Sequence, residues 1–163
     1  MRKSIQLKIL FLLFFPNISF AQNLNCADFR EGVFILNNEN MYKQYFYFAD
    51  TGETEINELP ADPHTKQYVI ERNILQQREW HNEIGYGSPS LQEINWTGPC
   101  TYNLKYLADE EEIDEISQII NETGGLEIEI LEITGNCMHY KSSIKFENGN
   151  EIYDFGQICK QIN

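Results

Sequence analysis

Arg72, Gln77 and Glu79 fall close together in a stretch that otherwise reads as strand. Arg72 follows Tyr68 and Ile70 at a spacing of two, so in an extended segment all three share a face. If that face points inward, the guanidinium needs a partner, because a stranded buried charge costs about 3–5 kcal/mol. Glu79 is a candidate for that partner. Two roles follow: a charged floor for an acidic or polar ligand, or an Arg–Glu pair that closes one end of the fold. Trp96, Tyr102 and Tyr106 alternate in the same way and either line a pocket or form plain core.

No grouping has the spacing that catalysis or metal binding needs. Ser88 and Ser90 lie near His81, but there is no Gly-x-Ser-x-Gly elbow to expose a nucleophile, and no glycine-rich phosphate loop. His64, His81 and His139 stand alone, without a second histidine or a carboxylate at ligand spacing, so no transition metal is expected. Asp109, Glu110, Glu111, Glu112, Asp114 and Glu115 lack the glycine turn and ligand spacing of a calcium loop and read as a solvated helix face. The expectation is a non-enzyme with no catalytic residue and no cofactor.

Residues 1–21 have the form of a secretory leader. Arg2, Lys3 and Lys8 precede an apolar core at 9–15, and Ser19-Phe20-Ala21 is a cleavage site of the small-x-Ala kind. That run is too short to span a bilayer, which takes about 20 apolar residues. The expectation is cleavage after Ala21, one domain over 22–163, no membrane insertion afterwards, and a location in the periplasm or outside the cell. The chain carries 12 basic and 25 acidic residues; without the leader nine basic ones remain, and the net charge moves from −13 to −16. Such a surface repels phosphate backbones and anionic lipid, so nucleic acid is not an expected partner. All four cysteines, Cys26, Cys100, Cys137 and Cys159, fall in the exported part. An even count in an oxidising compartment suggests two disulfides, with three pairings open, and it disfavours a cysteine nucleophile.

The elements that must position these residues are strands. The stretch 91–107 alternates most clearly: Ile94 and Trp96, then a Thr97-Gly98-Pro99 turn, then Cys100, Tyr102, Leu104 and Tyr106 on one face. Before it, the pattern predicts strands at 29–36, with Gly32 marking a bulge or close approach, and at 42–48. A long exposed loop over 50–66 follows, then strands at 67–72 and 76–80 around a turn at 73–75, then a loop over 81–90. After the hairpin, Ile113, Ile116 and Ile120 sit at helical spacing within 109–121, stopped by Gly124-Gly125. Leu126, Ile128 and Ile130 then alternate, and the phase slips at Leu131 as a bulge would make it. Met138, Tyr140, Ile144 and Phe146 form another inward row, and Asn148-Gly149 turns that strand into 151–155. Eight or nine strands with short connections and one helix describe an all-β fold: a closed or nearly closed antiparallel meander barrel of the lipocalin type, with a two-sheet β-sandwich as the alternative.

Three motifs in order, Cys26-Ala-Asp-Phe29 with Gly32-Val-Phe34, Ile70-Glu-Arg72 with Gln77 and Glu79, and Trp96-Thr-Gly-Pro-Cys100-Thr-Tyr102-Asn-Leu104-Lys-Tyr106, resemble a family of small uncharacterised exported proteins of flavobacteria and their relatives. The resemblance spans 26–106. It implies bacterial export and a compact β-domain, and nothing about catalysis. Because Cys26 and Cys100 lie inside the shared motifs and Cys137 and Cys159 outside them, it also implies the pairs Cys26–Cys100 and Cys137–Cys159. The function expected is a non-catalytic exported barrel with room for a small apolar ligand. The alternative is a periplasmic or cell-surface interaction module with an acidic surface and a sealed core.

Overall fold

The computed structural model describes residues 24–37, 42–59, 67–81, 84–85, 88–108 and 113–162; the leader, His64 and the acidic run 109–112 lie outside the described residues. A 3₁₀ turn (Cys26–Phe29) leads into β1 (Gly32–Asn37), β2 (Tyr42–Phe48), β3 (Glu53–Leu59), β4 (Gln67–Arg72), β5 (Gln76–His81), β6 (Ser90–Trp96) and β7 (Thr101–Tyr106). Helix α1 (Glu115–Glu122) then precedes β8 (Leu126–Thr134), β9 (Cys137–Lys145) and β10 (Glu151–Lys160).

Antiparallel pairing runs β1–β4–β5–β6–β7–β8–β9–β10, and β10 returns to β1, which closes an eight-stranded barrel. Closure leaves these strands no free edge, the usual hazard of an open sheet. The β2–β3 hairpin hangs outside the circuit because β10 changes partner along its length. Its first residues, Glu151 to Asp154, pair with Tyr47 to Gln44 of β2, and Cys159 and Lys160 pair with Ile35 and Phe34 of β1.

The expected segments need five corrections, one of them at the last strand, expected over 151–155, which runs on to Lys160. The first strand starts at Gly32 rather than residue 29, because Cys26–Phe29 is wound into the 3₁₀ turn. Part of the expected 50–66 loop is β3, which has only Ile56 as an apolar signal, 58% exposed, and which is held by its ladder to β2 rather than by burial. The expected loop 81–90 gives up both ends, His81 to β5 and Ser90 to β6. Helix α1 runs over Glu115–Glu122 and buries Ser117 and Ile120 but leaves Ile116 70% exposed, so Ile116 alone of the isoleucine row lies off the face that packs. The slip at Leu131 is a register shift between Ile130 and Glu132, and Asn148-Gly149 joins β9 to β10 with Gly149 at φ 86°.

One barrel end is sealed by the 3₁₀ turn. Asn25 and Asp28 cap it reciprocally: Ala27 N donates to Asn25 Oδ1 at 2.9 Å and Asn25 N donates to Asp28 Oδ2 at 2.8 Å. Phe29 drops into the core and stacks on Phe34 with ring centres 5.8 Å apart. Three ties hold the turn to the wall: the Cys26–Cys100 disulfide, Arg72 Nη1 donating to Phe29 O at 3.0 Å, and Lys160 Nζ donating to Asp28 O. Gly32 makes the last tie feasible, since a Cβ there would lie 2.9 Å from Lys160 Cε. Cys137 and Cys159 are direct cross-strand partners and close the second disulfide. These are the pairs the resemblance implies, and with no free cysteine left they belong to a non-reducing environment. Among the described residues no helix is long and apolar enough to cross a membrane.

Candidate ligand cavity

Strand register brings the polar residues together. Arg72, Gln77, Gln92 and Tyr106 lie directly opposite one another across β4, β5, β6 and β7, all facing inward, with Glu79 opposite Ile70 and Ser90 in the next row. On the facing wall, β8, β9 and β10 set Ile128, Ser142 and Asp154 in one row and Ile130, Tyr140 and Gly156 in the next. Apolar residues, among them Phe29, Phe34, Ile130, Met138 and Ile158, fill the sealed end. Between this core and the other end is a cavity of about 210 Å³, walled by Ile70, Leu104 and Ile128 and by Glu79, Tyr140 and Asp154. At about 30 Å³ per molecule it has room for about seven waters. A wider groove of about 300 Å³ lies at the β4–β5 turn, lined chiefly by the exposed Glu71, Asn73, Gln76 and Arg78.

Arg72 is 4% exposed and is held by three acceptors: Gln77 Oε1 at 2.9 Å, Phe29 O at 3.0 Å and Tyr102 Oη at 2.8 Å. Its guanidinium also lies over the rings of Tyr102 and Phe34, at 4.8 and 5.1 Å. It forms no ion pair with Glu79 among the described residues, which corrects the expected Arg–Glu bridge. The reason is register: Arg72 faces Gln77, while Glu79 faces Ile70 and is only its diagonal neighbour.

A guanidinium only donates, so Gln77 must turn its carbonyl towards Arg72 and its amino group away. That amino group donates to Gln92 Oε1, and Gln92 Nε2 donates to Ser90 Oγ at 3.0 Å. The orientation of two buried amides, 3% and 2% exposed, is therefore set by one cation. The relay ends with an amide donor beside Glu79 and Tyr106. Burial pushes the Glu79 carboxyl up, while the Gln92 amide and the Arg72 charge draw it back down. Asp154 is also pushed up by burial, and Ser142 Oγ, which donates to it, acts against the shift. Burial raises Tyr106 to about 12, with Glu79 and Asp114 adding to it, and raises Tyr102 and Tyr140 as well.

Two local features complete the cavity. Gly156 sits opposite Tyr140, and a Cβ there would fall 2.3 Å from Tyr140 Oη, so the missing side chain is where the phenol lies. At the other end of the cavity Asn121 of α1 mimics a strand partner: Tyr106 N donates to its Oδ1 at 2.9 Å and its Nδ2 donates to Tyr106 O at 2.8 Å. Asp114 starts the helix by accepting from Ser117 N at 2.9 Å and Ser117 Oγ at 2.7 Å, bonds that hold its carboxyl below the usual range.

Of the residues singled out in the sequence, Arg72, Glu79, Tyr102 and Tyr106 line this cavity. Trp96 does not, which corrects its place among the pocket residues. It stands half-buried at the sealed end, where it donates to Ile74 O at 3.1 Å, lies under Arg30 at 4.7 Å and touches Tyr102. Gln92, Tyr140, Ser142 and Asp154 were missed as site residues. Each is in phase with apolar inward neighbours, and a polar residue at such a position was the available signal.

No family model matches this chain, and no curated protein is similar to it. A redesigned β-barrel among solved structures is similar at 12% identity, over 86% of this chain and 98% of that one, with a TM-score of 0.29. A score that low carries no argument, and the barrel assignment rests on the strand pairings.

Proposed function

We propose that this protein is a non-catalytic exported barrel that holds a small molecule in its interior. The observation that carries the reading is the cavity itself: about 210 Å³ of open space set between a satisfied polar relay and apolar walls. A fold selected for stability alone would fill such a volume, because empty space forfeits packing. The expected ligand was apolar; the carboxyls and phenols in the lining favour one that also carries polar groups. Export to the periplasm or beyond is supported by the leader-like 1–21 segment, the paired cysteines and the family resemblance. The rival, an interaction module working through its acidic faces, calls for a sealed core, and the cavity supports the ligand reading over it.

The test is a ligand screen read by amide NMR. Compounds that bind should move the resonances of Glu79, Tyr140 and Asp154 together, and Ile128→Trp, which fills the space, should abolish the response. A screen whose hits shift only exposed β-strand faces would refute the reading.

A further inference from the structure

We propose that the molecule held in the cavity is a small organic cation, an amine whose ammonium group lies between Glu79 and Asp154 while its hydrocarbon part rests on Ile70, Leu104 and Ile128. The inference deepens the cavity reading and rests on it. The argument is a count of charges and hydrogen bonds. Among the described residues three groups of formal charge border the space: Arg72, Glu79 and Asp154. Arg72 is committed elsewhere, tied to the plug carbonyl, Gln77 and the Tyr102 hydroxyl. With both carboxyls ionised its charge would offset one of them at a distance and leave one in excess. Among the described residues one neutral donor acts on each carboxyl, the Gln92 amide on Glu79 and the Ser142 hydroxyl on Asp154. A carboxylate accepts about four hydrogen bonds, so each has capacity for further donors from the space it lines. An ammonium brings one positive charge and three donors, which is what the lining lacks. An anionic ligand would face two carboxyls with the only guanidinium already spoken for, and an apolar one would leave both carboxyls unpaired.

The same arrangement makes binding proton-linked. The other titratable groups facing the space are the hydroxyls of Tyr102 and Tyr106 on β7 and Tyr140 on β9; Asp114 ahead of α1 acts on Tyr106, and His81 ends β5 on the Glu79 face. Burial favours the neutral form of both carboxyls, so an arriving ammonium displaces a proton to solvent. Affinity should rise by about tenfold per pH unit while one carboxyl is still protonated in the empty barrel. It should fall again above about pH 10.4, where an alkylamine loses its own charge.

The experiment uses straight-chain amines of one to six carbons, with the matching alcohols and carboxylates, titrated into the full exported chain by calorimetry in two buffers and by amide NMR. The amines should bind at least about tenfold more tightly than the alcohols and release a proton; Glu79→Gln and Asp154→Asn should each cost the amines about ten- to a hundredfold and cost the alcohols much less. Near-ultraviolet circular dichroism establishes that both variants are folded. Should amines and alcohols bind alike, or carboxylates bind best, the cation is refuted while the cavity reading stands. If no series moves the cavity resonances, both readings fall.

Discussion

Replacing Arg72 by Met tests the centre of the design. The substitution nearly conserves chain length and removes a charge that has no ion-pair partner among the described residues, so relief of desolvation favours the variant. Against that, three buried acceptors lose their donor: Phe29 O, Gln77 Oε1 and Tyr102 Oη. Gln77 and Tyr102 border the cavity and can turn towards water, whereas the Phe29 carbonyl sits in the plug and cannot. One full penalty and two partial ones give a net loss of about 2–4 kcal/mol, at about 1–3 kcal/mol per orphaned buried group. Set against a total stability of about 5–15 kcal/mol, the variant should fold but be clearly weaker, with its urea midpoint lowered by about 1–2 M. Arg72→Lys should fall between the two, since one ammonium cannot reach acceptors spread around a planar fork. A double-mutant cycle with Tyr102→Phe should return a coupling of about 1 kcal/mol or more. An Arg72→Met protein within about 0.5 kcal/mol of wild type, or a cycle with no coupling, would refute the claim that one cation organises the polar relay.

Chain entropy ranks the disulfides: removing Cys26–Cys100, at a sequence separation of 74, should cost about 4.5 kcal/mol, and removing Cys137–Cys159, at 22, about 3.4 kcal/mol. Denaturant melts of the two double-serine variants check the order, and the reverse order would sink the argument. Stability should fall as pH rises from the unfolded carboxyl range, about 4, through the raised folded values of Glu79 and Asp154, because there the native state holds more protons than the unfolded one. Glu79→Gln with Asp154→Asn should flatten that slope in melts taken between pH 4 and 8, and an unchanged slope would count against both raised carboxyls. In alkali, Tyr106 should ionise near pH 12 and Tyr140 later than a free phenol; a 295 nm titration in which every tyrosine ionises together near pH 10 would contradict their burial. Gly156→Ala should drive the Tyr140 ring into the cavity at a cost of about 1–3 kcal/mol, and a variant with unchanged stability and unchanged Tyr140 NMR shifts would show the contact to be slack.

The barrel was legible in the sequence wherever one face of a strand is apolar. The hairpin holding Ile94, Tyr102 and Leu104, the Asn148-Gly149 turn and the bulge at Leu131 all follow from period-two alternation and turn chemistry. Where burial does not hold the element, the pattern fails. β3 is an edge strand fixed by backbone pairing, Cys26–Phe29 winds into a turn under a disulfide and a capping box, and α1 is tied to β7 by Asn121 and buries Ile120 while Ile116 stays exposed. The site was half visible. Arg72 is legible from its phase and Glu79 as a candidate partner for its charge, but the partners they have depend on register between strands, which alternation within one strand does not contain. The Arg72–Glu79 bridge fails for that reason: a two-residue offset in pairing replaces a carboxylate with Gln77.

That offset also bears on why charge is buried here at all. A barrel of this size gains nothing in stability from a guanidinium and two carboxyls that do not pair, and an apolar belt in their place would be at least as stable. Local choices that run against the global fold concentrate where a protein does something other than fold. The sealed end obeys every packing rule, with Phe29, Phe34, Met138 and Ile158 buried and the plug tied three ways. Beyond it, Glu79, Tyr140 and Asp154 are arranged around a space instead of around one another. The apolar half is what lets the polar half exist, because the closed ladder and two disulfides supply the stability that unpaired carboxyls give up. Arg72 belongs to both halves, fixing the plug through Phe29 O and the amide relay through Gln77. Loss of Arg72 should therefore weaken the fold and disturb the cavity together, whereas loss of Asp154 should disturb the cavity and spare the fold.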